Sequence, residues 1–372
     1  MPFPPLVAPV ETLDDAERTR TARHVALAGF GDIAQRRLAA AHVAVVGAGG
    51  LGSPTVLALA AAGVGTLTVI DDDEVEASNL QRQVMHRVAD VGRPKVDSAV
   101  RVAGDLSPGT VVRPVAVRLT PDNAAELLAG AHVVVDGTDT FETRDAVAAA
   151  CEQLGVPLVW GVVQEFHAQA TVFWSAPPAG IAPVRLSDLY PTSTVGDVPT
   201  CAQVGVLGSL CLQVGALLAT EAVKLITGVG EPLLGRVVVI DALRGRTDEV
   251  PLRPATAPAP AVRVSAPPAA ADVPHLDADA TRAALAGGAT LIDVREPHET
   301  ARGVIPGAVE LPLGRLLAEP ALAGAGPVIV VCQVGVRADR AARALRAAGV
   351  DAAVLAGGMD AWTAESAARV DA

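Results

Sequence analysis

The chain has 372 residues and a formal net charge of −12, long enough for two or three domains with their own cores. No cluster of Lys and Arg offsets the acidic balance, which argues against nucleic acid as the main partner. Four cysteines without Cys-x-x-Cys spacing give no disulfide framework, and the N-terminus, Met1-Pro2-Phe3-Pro4-Pro5 followed by acids, lacks a signal-peptide pattern, so a soluble cytoplasmic protein with reduced thiols is expected.

In chain order, the first strong signal is the apolar strand Val43 to Val46, followed at once by Gly47-Ala48-Gly49-Gly50-Leu51-Gly52. Glycines there let the backbone amides of a helix N-terminus approach phosphate oxygens. Asp71 closes the next strand, Leu67 to Ile70, where an acid can hydrogen-bond a ribose hydroxyl. Up to this point a nicotinamide dehydrogenase fits equally well. The balance shifts with Ser78-Asn79-Leu80-Gln81-Arg82 and Lys95, whose cations suit a triphosphate. Asp139, in Asp136-Gly137-Thr138-Asp139 after the strand His132 to Val135, offers a hard oxygen for magnesium. Cations and a metal ligand around a glycine cradle are the parts that phosphoryl chemistry uses.

These residues resemble the ThiF/MoeB superfamily of E1-like enzymes from about Arg20 to Val250, including the Arg20-Thr21-Ala22-Arg23 entry segment and the Asn-Leu-x-Arg-Gln block. The resemblance implies a Rossmann-like α/β adenylation domain that uses ATP and Mg2+ to adenylate the C-terminal carboxylate of a small ubiquitin-fold sulfur carrier. It implies that Gly47, Gly49, Gly50, Gly52, Asp71, Ser78 to Arg82, Lys95, Asp139 and Thr140 line the ATP site, and that Arg23 reaches the partner's site in a homodimer. Thr140 stands where the family usually has Asn, keeping a hydroxyl but losing the amide.

Two apolar stretches mimic membrane spans. Val43 to Ile70 is cut by Gly47, Gly49, Gly50, Gly52, Pro54, Gly63 and Gly65 and is expected as a core. Val204 to Ala219 runs into Glu221 and Lys224, is shorter than the roughly twenty residues a span needs, and is expected as a buried helix. Cys201 precedes that helix and resembles the crossover cysteine of the family's sulfur-transferring branch. Cys151 and Cys211 lie within apolar helical patterns and are expected in the core. No cysteine occupies the regions where some members bind zinc, around Arg185 to Asp188 and Ala257 to Pro260, so no structural zinc is expected.

Residues 1–250 are therefore assigned to the adenylation domain, and 251–274 to a Pro/Ala linker that includes Pro254, Pro258, Pro260, Pro267 and Pro268. In polyproline form, at about 3.1 Å per residue, some twenty residues span on the order of 60 Å. Residues 275–372 form a smaller α/β domain with parallel strands Thr290 to Val294 and Val328 to Val331, then a helix Asp339 to Ala348 closed by Gly349. Cys332 heads the strand-to-helix loop Cys332-Gln333-Val334-Gly335-Val336-Arg337. A thiolate there faces loop amides and a positive helix end, the setting of a nucleophile. Arg337 follows Cys332 by five positions, one fewer than in cysteine phosphatases, so the cradle suits sulfur better than phosphate.

This half resembles the rhodanese family through Asp293-Val294-Arg295-Glu296-Pro297, Gly303-Val304-Ile305-Pro306-Gly307-Ala308, the Cys332 loop and Gly357-Gly358-Met359-Asp360-Ala361-Trp362. The resemblance implies a persulfide on Cys332, drawn from thiosulfate or another persulfide. Gln333 and Ala338 stand where related fused rhodaneses often have Lys and Ser. Together the two halves point to carrier adenylation with Arg23, Arg82 and Lys95 as catalytic cations, then sulfur transfer by Cys332 and Cys201 to a thiocarboxylate. A dehydrogenase and a non-catalytic carrier-binding module remain the alternatives.

Overall fold

The computed structural model describes residues 3–190, 205–253, 273–324 and 326–370. They belong to two compact units, Met1–Ala257 and Pro258–Ala372.

In the first unit, β1 (His42–Val46), β2 (Thr66–Ile70), β3 (Val111–Val115), β4 (Val133–Asp136), β5 (Leu158–Gln164), β6 (His167–Phe173), β7 (Arg236–Asp241) and β8 (Arg246–Pro251) build one sheet. Its order is β3-β2-β1-β4-β5-β6-β7-β8. The strands from β3 to β5 are parallel, and β6, β7 and β8 are added antiparallel. Residues alternate between two cores. Val43 and Val45 pack with Leu59, Val96 and Leu218, while Ala44 and Val46 pack with Leu128, Val134 and Val147. Burial on both faces is why these strands read as unbroken apolar runs.

Strand order reverses between β1 and β4, so the loops after these two strands flank a switch point, where open α/β sheets bind ligands. β4 lies one residue later than the sequence suggested. Asp136 is inside it, in register with Val46 and Trp160. The acid belongs to the strand end, not to the turn.

The helix Gly208–Thr227 also departs from expectation. It has 20 residues and is long and apolar enough to cross a membrane by length and composition, yet most of it is buried within this unit. Glu221 and Lys224 do not stop it, because they satisfy one another. Lys224 Nζ lies 2.6 Å from Glu221 Oε1, and Glu221 Oε2 accepts the Leu233 amide at 2.8 Å.

In the second unit, β9 (His275–Leu276), β10 (Thr290–Asp293), β11 (Val309–Glu310), β12 (Val328–Val331) and β13 (Ala352–Leu355) form an all-parallel sheet in the order β11-β10-β12-β13-β9. Val328 and Val330 enter one core and Ile329 and Val331 the other. The helix after β12 is Val336–Ala347, three residues earlier than expected at its start. Gly335, at φ 102°, opens it, and Gly349, at φ 85°, follows its end. Both flanks of the Pro/Ala stretch are more ordered than the sequence suggested. Pro251 ends β8 and Val273 is buried in the second unit. Residues 254–272, which hold most of that stretch, lie outside the described residues.

Candidate functional site

The loop leaving β1 is shaped by its glycines. Gly47 has φ +86°, and a Cβ on it would meet Gly137 C and O at 3.1 Å. A Cβ on Gly52 would lie 1.7 Å from Gly47 O, and one on Gly50 would lie 3.2 Å from Cys211 Sγ. Gly52 is the first residue of the Gly52–Ala62 helix. The amides of Gly49 and Gly50 have no hydrogen-bond partner among the described residues. Free amides at a helix start form an anion site with the positive end of the helix dipole. The positions where side chains on these glycines would stand are taken by neighbouring protein atoms, so only glycine allows the loop to pack this tightly.

Around this cradle the expected groups come together. Asp71 Oδ2 accepts the Ala48 amide at 2.7 Å and Oδ1 the Asp73 amide at 2.9 Å. Burial raises the Asp71 carboxyl above its ordinary pKa, while Lys95 and the two amides pull it back. Lys95, only 6 % exposed, pairs with Asp73 at 2.7 Å and lies 3.9 Å from Asp71. A buried ammonium needs such a partner. Arg82 is exposed in part, donates to Ser78 O at 3.2 Å, and places Cδ 3.8 Å from where a Gly50 Cβ would stand. Asn79 is buried and its Oδ1 closes its own turn on the Glu76 amide at 3.1 Å, while Ser78 Oγ donates to Glu76 at 2.9 Å. Leu80 is half-buried and Gln81 exposed. Gly208 packs on the Gln81 carbonyl so closely that a Cβ would lie 2.2 Å from it.

The loop after β4 faces the same edge, since Gly137 N donates to Val46 O at 2.8 Å. Asp139 is exposed, and no hydrogen bond or ion pair engages its carboxylate among the described residues. A free carboxylate beside a phosphate cradle suits a hard divalent cation such as Mg2+. Thr140 serves the fold as the N-cap of the Phe141–Leu154 helix, accepting the Thr143 amide at 3.4 Å. Cys151, on the same helix, is buried, and burial, then Asp136 and Glu152, push its thiol strongly upward. Cys211 is buried too. Arg20 is committed to Glu17 and the Ala61 carbonyl, whereas Arg23 is exposed on the Asp15–Val25 helix. Cys201 lies outside the described residues.

Several site residues carry little sequence signal. Asp73 is one of three consecutive acids, Asp71 to Asp73, with nothing to single it out as the Lys95 partner. His86 Nε2 meets the Ala48 carbonyl at 3.0 Å under the glycine loop. Asp136 Oδ1 and Arg144 together grip Thr138, beside Asp139. Only the closeness of Arg144 to Asp139 in the chain offers a hint.

In the second unit Cys332 follows β12 and is 1 % exposed. Its Sγ accepts the Gly335 amide at 3.2 Å, at the start of the Val336–Ala347 helix. One loop amide thus reaches the sulfur. Arg337 is held by both oxygens of Glu299 at 2.6 Å each. Gln333 bridges Arg295, which is buried against Asp293, and Asp360. Ala338 is fully buried, so the position where related fused rhodaneses often carry Ser serves the core here.

Residues 21–260 match the ThiF family, and residues 277–365 match the rhodanese-like domain. The chain belongs to the ThiF family and carries a C-terminal rhodanese-like domain. Over 97 % of its length it is 41 % identical to the probable adenylyltransferase/sulfurtransferase MoeZ of Mycobacterium tuberculosis, covering 96 % of that protein. It is 42 % identical to the sulfur carrier protein adenylyltransferase of Thermus thermophilus, over 55 % of this chain and 75 % of that one. Escherichia coli MccB, in its crystal structure with MccA, has a TM-score of 0.56, 20 % identity, and coverage of 65 % of this chain and 72 % of that chain. That likeness shows the fold. The protein is an enzyme, an adenylyltransferase and sulfurtransferase, and its family implies ATP as the nucleotide.

Proposed function

We propose that the first unit activates the C-terminal glycine carboxylate of a small ubiquitin-fold, Gly-Gly-tailed sulfur carrier, and that Cys332 of the second supplies sulfur to it as a persulfide. The carrying observation is the pair of glycine-loop amides, Gly49 and Gly50, without a partner among the described residues, with Arg82 beside Gly50 and Lys95 next to the Asp71 carboxylate that holds the Ala48 amide of the same loop. The relative in Thermus thermophilus described as a sulfur carrier protein adenylyltransferase supports the choice of substrate. ThiF membership sets aside the dehydrogenase alternative.

In the first step a carboxylate oxygen bonds the α-phosphorus of ATP, the bond to the bridging oxygen breaks, and pyrophosphate leaves. Arg82 and Lys95 stabilise the oxygens that gain charge, Lys95 exchanging Asp73 for the nucleotide. Asp139 would hold a magnesium ion, which would supply further charge neutralisation. Arg23 acts across a homodimer. In the second step the Cys332 persulfide attacks the activated carbonyl, AMP leaves, and an acyl disulfide forms. The Cys201 thiol then attacks the Cys332 sulfur, releasing the thiocarboxylate and leaving a Cys332–Cys201 disulfide for a cytoplasmic thiol to reduce. Thiosulfate or a persulfide recharges Cys332.

The test is to incubate the protein with ATP, Mg2+, thiosulfate and each Gly-Gly-tailed small protein of the same cell, and to examine the carrier by mass spectrometry. Adenylate followed by thiocarboxylate is expected on one carrier. Binding of a carrier with neither product would support the non-catalytic alternative.

A further inference from the structure

We propose that Arg144 is a positioning residue for the Asp139 carboxylate, fixing it for the metal without touching the metal or the nucleotide. This rests on the reading of Asp139 as the magnesium ligand and deepens it. Arg144 is 4 % exposed and donates Nη2 and Nε to the Thr138 carbonyl at 2.8 and 3.3 Å. That carbonyl belongs to the peptide joining Thr138 to Asp139. Because a peptide is planar, a fork on its oxygen fixes the whole plane, including the Asp139 amide and the direction of its Cα. The preceding peptide is fixed as well, since the Thr138 amide and hydroxyl both donate to Asp136 Oδ1, at 2.9 and 2.7 Å. On the other side Thr140 is committed as a helix cap. Asp139 is thus an exposed carboxylate between two immobilised neighbours.

The guanidinium is itself flanked by aromatic rings. It lies over the Phe141 ring at 5.2 Å and the Trp160 ring at 5.9 Å, and Trp160 is fully buried in β5. A lysine can supply charge here, but not the two-pronged contact. A group that served only to balance Asp136 would not need that fork. Residues that orient a metal ligand are commonly worth about 10- to 100-fold in metal affinity.

The test uses the full chain with a non-hydrolysable ATP analogue and Mn2+ as a paramagnetic probe, read by electron paramagnetic resonance. Nucleotide binding without metal is measured by calorimetry. In Arg144→Lys, Mn2+ affinity is expected to fall by about tenfold or more, with metal-free nucleotide affinity and cooperative unfolding retained. Phe141→Leu, which removes one ring and no charge, is expected to weaken Mn2+ binding less but in the same direction, and it carries the test if Arg144→Lys does not fold. Unchanged Mn2+ binding in the folded variants, or equal losses with and without metal, would overturn the proposal. Asp139→Asn separates the two levels. If it leaves Mn2+ binding intact, the metal reading fails; if it weakens Mn2+ binding while the Arg144 and Phe141 variants do not, only the positioning role fails.

Discussion

Replacing Gly52 by Ala puts one methyl group where the glycine loop has no room. The added Cβ would stand 1.7 Å from Gly47 O and 2.8 Å from Gly47 C. Comfortable non-bonded contact needs about 3.5 Å, so the loop must give by roughly 1–2 Å. The obstacle is backbone, not the far end of a flexible side chain. Gly47 cannot simply retreat, because its amide is bonded to Ile70 O at 2.8 Å and its other flank abuts Gly137. The movement therefore falls on the Gly49 and Gly50 amides. A misplacement of about 1 Å at a reacting centre costs on the order of 100-fold in rate, and overpacking costs about 1–3 kcal/mol of stability. Carrier-dependent ATP–pyrophosphate exchange is the assay, with thiosulfate sulfurtransferase activity of the second unit as the internal control. Exchange should fall by about two orders of magnitude while the control is unchanged. Near-wild-type exchange with unaltered thermal unfolding would refute the claim that this loop is a tight phosphate cradle.

Lys95→Ala should likewise lower exchange by about 100-fold or more, the usual effect of losing a charge placed for the transition state, and leave thiosulfate turnover alone; retained exchange would remove Lys95 from the site. Cys332→Ala should form acyl-adenylate normally and yield no thiocarboxylate from a persulfide donor, which mass spectrometry of the carrier reads directly, whereas Cys201→Ala should be milder because external thiols can resolve the acyl disulfide. His86 supplies a pH signature, since burial, ahead of its other influences, holds its pKa below the ordinary 6.5, and Nδ1 has no partner among the described residues. The unfolded chain then takes a proton that the fold refuses, so the contribution to stability is complete above about pH 6.5 and is lost as pH falls toward the lower folded value. Thermal unfolding of His86→Gln between about pH 7.5 and 5.5 should show a shallower loss than the parent, and parallel curves would contradict this.

What could be read in the sequence is what is local. The β1 run, the glycine turn and Asp71 are contiguous signals, and two-sided burial makes the strands continuous in hydropathy. The roles of Asp73 and Arg144 are faint there for different reasons: the partner of Asp73 lies a whole β-α connection away, and that of Arg144, though only six residues off, is a backbone carbonyl, which carries no sequence identity. Glu299 is 38 residues from Arg337 and belongs to a separate short helix, Pro297–Thr300. The helix Gly208–Thr227 runs past Glu221 and Lys224, which look like a stop signal until their mutual pairing is seen. The start of Val336–Ala347 is hidden because Gly335, the left-handed residue that opens it, reads as loop.

The two-residue strand β9 sets a limit on how the sulfurtransferase half can be dissected. It hydrogen-bonds along β13, with Val354 N donating to Pro274 O and Ala356 N to Leu276 O, both at 2.8 Å. The recognisable rhodanese-like match begins later, at residue 277, and a fragment cut there would lose β9 together with buried Val273. Val354 and Leu355 would then present a bare apolar edge, a template for sticking to other copies. The shortest fragment that carries its own edge protection starts ahead of Val273, so insolubility of a shorter one would report the missing border and not a defect in the catalytic loop.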